Sequence, residues 1–226
     1  MKTAILLLHG FGGGPSELKC LEARLIEIGY DCYLPTILGH GEDKKALRKT
    51  NGNNWIDGIR KEYQKLQNYG EIIVIGFSMG GLIATYLLDD KRIKKLILIN
   101  TPIWVINFKV ILKDFFTLKR GWISQTFGYG KSVYKVGIKS CFNFYGLLRK
   151  TRKNFGTIKV PTLIVQCDSD QTARPKSAKY INNAILGSQI KMIKGGRHLF
   201  FEDKIEVRDE VIDLVVDFIK TCQRNN

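Results

Sequence analysis

The sequence is short of acids for the bases it carries: 36 Lys and Arg stand against 21 Asp and Glu, a net charge of +15 over 226 residues. That deficit implies attraction to something anionic, whether a membrane surface, a nucleic acid or an acidic substrate, and says nothing about fold. Paired cysteines are also missing. Cys20, Cys32, Cys141, Cys167 and Cys222 are scattered with no C-x-x-C spacing, which argues against a disulfide framework or a zinc site and reads as reduced thiols of a cytoplasmic protein. No apolar run approaches the roughly 20 residues of a membrane span. The N-terminal run Ala4 to Leu8 is too short for the apolar core of a signal peptide, and it leads into a glycine-rich loop without a small-residue cleavage site. Repeats and low-complexity tracts are absent, so a solenoid is excluded. What remains, 44% hydrophobic and 25% charged residues, is the composition of one soluble globular domain with room for an insertion.

The stretch that organises the chain is Glu71 to Leu88, E-I-I-V-I-G-F-S-M-G-G-L-I-A-T-Y-L-L. Ile72 to Ile75 is a β-branched run of buried-strand length, and Leu82, Ile83, Tyr86 and Leu87 follow at helical spacing. Between them, Gly76-Phe77-Ser78-Met79-Gly80 is a G-x-S-x-G pattern. A strand that turns directly into a helix through such a pattern presents Ser78 at the apex of a strained turn, with small residues on both sides so that neighbouring backbone can approach. That is the arrangement of a nucleophile. The bland reading, a chance match in a chain with 22 glycines, does not account for the strand before it and the helix after it.

Taken in order, Ile5 to Leu8 reads as a buried strand, followed by the loop His9-Gly10-Phe11-Gly12-Gly13-Gly14-Pro15-Ser16. Ser16 is placed to cap a helix carrying Leu18, Leu21, Leu25 and Ile28 and ending at Gly29. Further strands are expected at Tyr30 to Leu34, Lys95 to Asn100, Thr162 to Cys167 and Gln189 to Ile193. A helix beginning at Asn51 to Asn54 should bury Trp55, Ile59, Tyr63 and Leu66, with Gly70 just beyond its end, and a last helix spans roughly Lys204 to Lys220. Short buried strands alternating with amphipathic helices predict an α/β fold, a compact and mostly parallel six-stranded sheet with helices on both faces. The chemistry should lie at the carboxyl ends of the strands.

Residues 103–159 break this rhythm. They hold twelve basic residues and a single acid, Asp114, a local charge of +11, with aromatic residues throughout. The segment leaves and re-enters at the carboxyl end of the sheet, the position of a helical cap or lid. The expected division is therefore core at 1–102, cap at 103–159 and core again at 160–226. Apolar residues of the cap, among them Trp104, Phe108, Phe115 and Trp122, are expected to line an acyl pocket. Its lysines and arginines are expected to meet an anionic group on the substrate or an anionic membrane surface, or else to form only a solvated exterior.

A serine hydroxyl needs a base, and the base needs a carboxylate to fix its tautomer. Of three histidines, His9 and His40 precede the serine, whereas His198 lies between the last strand and the last helix and fits the chain order serine, acid, histidine. The loop after the fifth strand offers two aspartates. Asp170 stands further beyond the strand and has more freedom to turn toward His198, which leaves Asp168 to cap the turn. The backbone N–H groups of Met79 and Phe11 are the candidate oxyanion donors. Read instead as a phosphate cradle, H-G-F-G-G-G lacks the Lys-Ser/Thr of a P-loop and the G-x-G-x-x-G spacing.

L-L-L-H-G-F-G-G, L-G-H-G-E, G-F-S-M-G-G, the aspartate loop and G-R-H, in this order and approximate spacing, resemble the small bacterial carboxylesterases and related monoacylglycerol lipases of the α/β-hydrolase superfamily. The resemblance covers nearly the whole chain outside the cap. It implies a serine esterase acting on short- to medium-chain acyl esters or monoacylglycerols. Ser78 would be the nucleophile, Asp170 the acid, His198 the base and Phe11 and Met79 the oxyanion donors, with neither metal nor organic cofactor. The chain departs from the family at Ala173, where a β-branched residue is usual, and in the strongly basic cap. An acyltransferase or thioesterase on the same residues is the enzymatic alternative. A non-catalytic lipid- or nucleic-acid-binding protein is the third reading; no recognisable nucleic-acid module is present, and no nucleic-acid partner is expected.

Overall fold

A computed structural model of the chain describes residues 2–41, 44–105 and 137–221. Six strands, β1 (Thr3–Leu8), β2 (Asp31–Tyr33), β3 (Glu71–Phe77), β4 (Ile93–Ile99), β5 (Thr162–Cys167) and β6 (Gln189–Ile193), form one sheet in the order β2-β1-β3-β4-β5-β6. Every neighbouring pair runs parallel, so the sheet is parallel throughout rather than mostly so.

Alternation along the strands divides the core between two faces. Ala4, Leu6 and Leu8 of β1, Ile72 and Val74 of β3, and Leu96 and Leu98 of β4 point to one side. There they meet α3 (Gly52–Tyr63), α4 (Met79–Ala84), α5 (Ile138–Thr151) and α6 (Lys176–Ala184). Ile5 and Leu7, Ile73, Ile75 and Phe77, and Ile97 and Ile99 point to the other, under α1 (Lys19–Glu27) and α7 (Ile205–Lys220). Both faces are apolar because parallel strands joined by helical crossovers leave neither face to water.

The helix over Trp55, Ile59 and Tyr63 starts where its sequence predicts. Asn51 Oδ1 accepts from the N–H groups of Asn53 and Asn54 at 3.0 and 3.2 Å, and Asn54 Oδ1 accepts from Asn51 N–H at 3.0 Å. This reciprocal cap satisfies donors that the first turn leaves unpaired. Replacing Asn51 with alanine is expected to destabilise the fold by about 1 kcal/mol, a fall in Tm of about 2–4 °C, measured by thermal melting at neutral pH.

Elsewhere local chemistry overrides the pattern. Ser16 does not cap its helix: Pro15–Leu18 forms a 3-10 turn preceded by an extended Gly14 with no side-chain cap, and α1 begins only at Lys19. Strand β2 is an edge strand of three residues, shorter than the strand expected over Tyr30 to Leu34. Helix α4 ends at Ala84, short of Tyr86 and Leu87, where the Thr85 hydroxyl donates to Leu82 O at 2.8 Å and the chain continues in i to i−3 turns. Helix α6 has no counterpart in the sequence reading, because in K-S-A-K-Y-I-N-N-A only Ser177, Ala178 and Ile181 are buried. The short helix α2 (Lys44–Arg48) has no counterpart in the sequence reading either.

Candidate active site

Strand β3 delivers Ser78 into the turn with φ +51° and ψ −118°, backbone that a residue with a Cβ occupies only under constraint. The constraint is visible on both sides. Ser78 N–H donates to Ile99 O of β4 at 2.8 Å, and Gly81 N–H donates to Ser78 O at 3.0 Å. A Cβ on Gly80 would stand 2.0 Å from Leu8 O, and one on Gly76 2.4 Å from Gly81 Cα. These two glycines let β1 and α4 close around the turn, as the pattern predicts.

The loop after β6 carries His198 back across the strand ends. Its Nε2 lies 3.0 Å from Ser78 Oγ, and its Nδ1 lies 2.7 Å from Asp170 Oδ2. A carboxylate can only accept, so Nδ1 holds the proton and Nε2 is left to accept from the serine hydroxyl. The Phe77 ring packs against the imidazole at 5.3 Å.

The two aspartates of the β5 loop are separated by their partners. Asp170 is 5% exposed. Its Oδ1 accepts from Thr172 and Ala173 N–H, both at 2.7 Å, and its Oδ2 accepts from Gln166 Nε2 at 3.3 Å as well as from His198. Asp168 is exposed and points away: its Oδ1 accepts from Gly195 N–H at 2.8 Å and from the Ser169 hydroxyl at 2.9 Å. The Ser169 hydroxyl, then the Gly195 N–H, hold the Asp168 carboxyl below the usual carboxylate range. Ala173, the residue that departs from the family pattern, is buried and contributes its backbone both to Asp170 and to a bridge with Val105.

Met79 follows Ser78 directly as the first residue of α4, and Phe11 lies in the glycine loop after β1. Two groups anchor that loop. Glu17 accepts from Gly10 N–H at 2.7 Å; buried His9 donates from Nδ1 to Gly10 O at 2.9 Å and accepts at Nε2 from Ile37 N–H at 3.0 Å. His9 is thereby a strut between the loops after β1 and β2. The Phe11 ring stacks on Phe144 of α5 at 4.9 Å and 16°, with Trp55 at 5.7 Å.

Trp104 packs against Tyr180 of α6 at 5.2 Å, with Lys176 Nζ 4.7 Å and Arg152 Cζ 5.8 Å from its ring. Phe108, Phe115 and Trp122 lie outside the described residues. Sequence reasoning passed over Asn100, Gln166 and Glu17. Gln166 carried a signal, since a polar residue in the otherwise apolar T-L-I-V-Q-C needs a buried partner.

Among the described residues, thiols compete poorly for the role of nucleophile. Burial pushes both Cys32 and Cys167 up to about 12 and also raises Cys20 and Cys141, so near neutral pH they remain protonated. Among the described residues, no group of three or more His, Cys, Asp or Glu side chains could hold a metal ion, and no helix is long and apolar enough to cross a membrane.

A family model described as alpha/beta hydrolase fold matches residues 3–134. A carboxylesterase of Bacillus subtilis (strain 168) is 28% identical over 230 residues, covering 96% of this chain and 92% of its own. A thermostable monoacylglycerol lipase of Bacillus sp. (strain H-257) is 25% identical over 200 residues, covering 85% and 80%. Among solved structures, one reported for the metagenome-derived lipolytic enzymes LipS and LipT superposes with a TM-score of 0.76 at 18% identity, over 97% of this chain and 94% of the other. A bromoperoxidase of Bacillus anthracis superposes with a TM-score of 0.73 at 20% identity, over 97% and 92%. At those identities the superpositions speak to fold, and one fold hosts several chemistries.

Proposed function

From the premise that the chain belongs to the α/β-hydrolase fold family, we propose that it is a serine carboxylesterase hydrolysing short- to medium-chain acyl esters or monoacylglycerols. The observation that carries this is the unbroken hydrogen-bonded line from Ser78 Oγ through His198 to Asp170, with the serine at a strained strand-to-helix turn. The names of the carboxylesterase and monoacylglycerol lipase relatives point to the same reaction class.

In this mechanism Ser78 Oγ attacks the ester carbonyl while its proton passes to His198 Nε2. Asp170 holds the imidazole in the tautomer that can receive that proton and stabilises the imidazolium that forms. The N–H groups of Met79 and Phe11 receive the developing oxyanion. Collapse of the tetrahedral intermediate returns the proton to the departing alcohol and leaves an acyl-serine. Water, deprotonated by the same His198, releases the acid and restores the serine. Phe11 and Phe144, stacked and partly exposed beside the glycine loop with buried Trp55 behind Phe11, supply an apolar surface that suits an acyl chain.

For the basic cap, the partner class we favour is an anionic group on the substrate or on a surface. Lys139, Arg149, Lys150 and Lys153 are all exposed, and residues 137–159 contain no acid.

The test is steady-state hydrolysis of p-nitrophenyl esters from acetate to laurate at low and moderate salt. Turnover is expected to peak at one chain length, and an ester bearing a negative charge is expected to lose rate with salt while neutral esters do not. Absence of turnover across the series would overturn the assignment.

A further inference from the structure

Asn100, the residue that follows β4, is fully buried and has φ +48°. Asparagine tolerates this left-handed backbone because its side chain can hydrogen-bond locally. Here none of the three side-chain bonds is local. The Nδ2 group donates to His198 O at 2.9 Å and to Arg197 O at 3.2 Å, 98 and 97 positions away, and Oδ1 accepts from Cys167 N–H at 2.8 Å, 67 positions away. Its own N–H donates to Val165 O at 2.9 Å. The carboxamide therefore joins the end of β5, three residues before Asp170, to the backbone of His198 itself. One residue earlier, Ile99 O receives the Ser78 N–H.

Two adjacent residues thus hold all three segments that bring Ser78, Asp170 and His198 together. A turn asparagine would use its side chain on its own neighbours. This one spends both donors and an acceptor lone pair on the two loops whose relative position sets the 2.7 and 3.0 Å contacts of the imidazole.

The geometry points to Asn100 as a positioning residue that fixes His198 relative to Asp170 and Ser78 by clamping the His198 carbonyl to the end of β5. It touches no reacting atom and acts through His198. The inference rests on the esterase reading above.

Two variants separate positioning from plain stability. Asn100→Asp is nearly isosteric and keeps an acceptor for Cys167 N–H, but it turns a carboxylate oxygen toward two carbonyls. Asn100→Gly keeps the backbone conformation and removes every side-chain bond. In each, kcat on the best p-nitrophenyl ester is expected to fall about 100-fold, the scale of a misplaced catalytic group, with KM held within about threefold because substrate contacts are untouched. The low-field proton resonance of His198 Nδ1–H should broaden or vanish, and phosphonylation of Ser78 by a fluorophosphonate should slow in parallel with kcat.

A folded variant with kcat within threefold of wild type overturns the inference. So does a loss of kcat that leaves the His198 proton resonance unchanged. Should neither variant fold, the wild type decides: the Asn100 carboxamide protons, donated to two buried carbonyls, are expected to exchange slowly with solvent, and rapid exchange refutes the clamp. Wild-type protein without turnover that depends on Ser78 would sink the esterase reading, while the carboxamide exchange would still test the clamp.

Discussion

On the proposed esterase mechanism, Ser78→Ala is expected to abolish ester hydrolysis, with a loss in kcat of about 10⁶-fold, while the fold survives. The size follows from the division of labour in the site. Removal of Oγ leaves His198 with nothing to deprotonate except water, and only the oxyanion donors and substrate binding remain, worth a residual factor of about 10³–10⁴ over the uncatalysed reaction. The backbone has no reason to move, because alanine and serine bear the same Cβ and meet the same restriction at φ +51°. Ser78→Gly should be as inactive but more stable than Ser78→Ala by about 1 kcal/mol, since glycine occupies that conformation without the clash. Parallel kinetics and melting of the two variants check both statements. Activity that survives in either would remove the serine from the mechanism.

The second large effect separates two aspartates only two positions apart. Asp170→Asn is expected to lower kcat by about 10⁴-fold. The remaining oxygen can still accept from Thr172 and Ala173 N–H, so the loop keeps its shape, but the amide nitrogen would face His198 Nδ1. The imidazole must then carry its proton on Nε2, where it cannot accept from Ser78. Asp168→Asn leaves that contact alone and should change kcat by less than about tenfold, through the tether to Gly195.

Its signature is in stability instead. The folded-state value of the Asp168 carboxyl is depressed, so its contribution is present above the ordinary carboxylate range and disappears as pH falls through the depressed value. The gap in melting temperature between wild type and Asp168→Asn should be open at neutral pH and close in acid. Kinetics that reverse the ranking of the two aspartates would reassign the acid.

Legibility varied with how local the cause of each feature is. Strand β5 and the turn at Ser78 could be read from the chain because a buried parallel strand is a largely apolar run, and the turn needs glycine at fixed places. The start of α3 was readable for the same reason, since its cap is made within four residues. Asp170 was preferred to Asp168 on reach alone, and the contacts with His198 and Gly195 divide them the same way. Some of the features that were missed have local causes, and others depend on partners far along the chain. Ser16 loses its capping role to the geometry set by Pro15, and α6 presents too few apolar residues to leave a period. Asn100 looks like an ordinary polar residue ending a strand until Cys167 and His198 are brought beside it. Phe108, Phe115 and Trp122 remain expectations from the sequence, outside the described residues.

Ser78 and His198 lie 120 positions apart, and the histidine sits beyond the last strand of the sheet. A chain emerging from the ribosome would have β1 to β5 available to pair while the base was still missing. Closing a loop of that length is among the slower events of folding, so regain of ester turnover during refolding reports the docking of β6 and its loop rather than the earlier collapse of the strands around β3. A chain cut before β6 would lack both His198 and the α7 side of the core that covers β3 and β4, so that a cell would meet the activity only in molecules whose folding is complete.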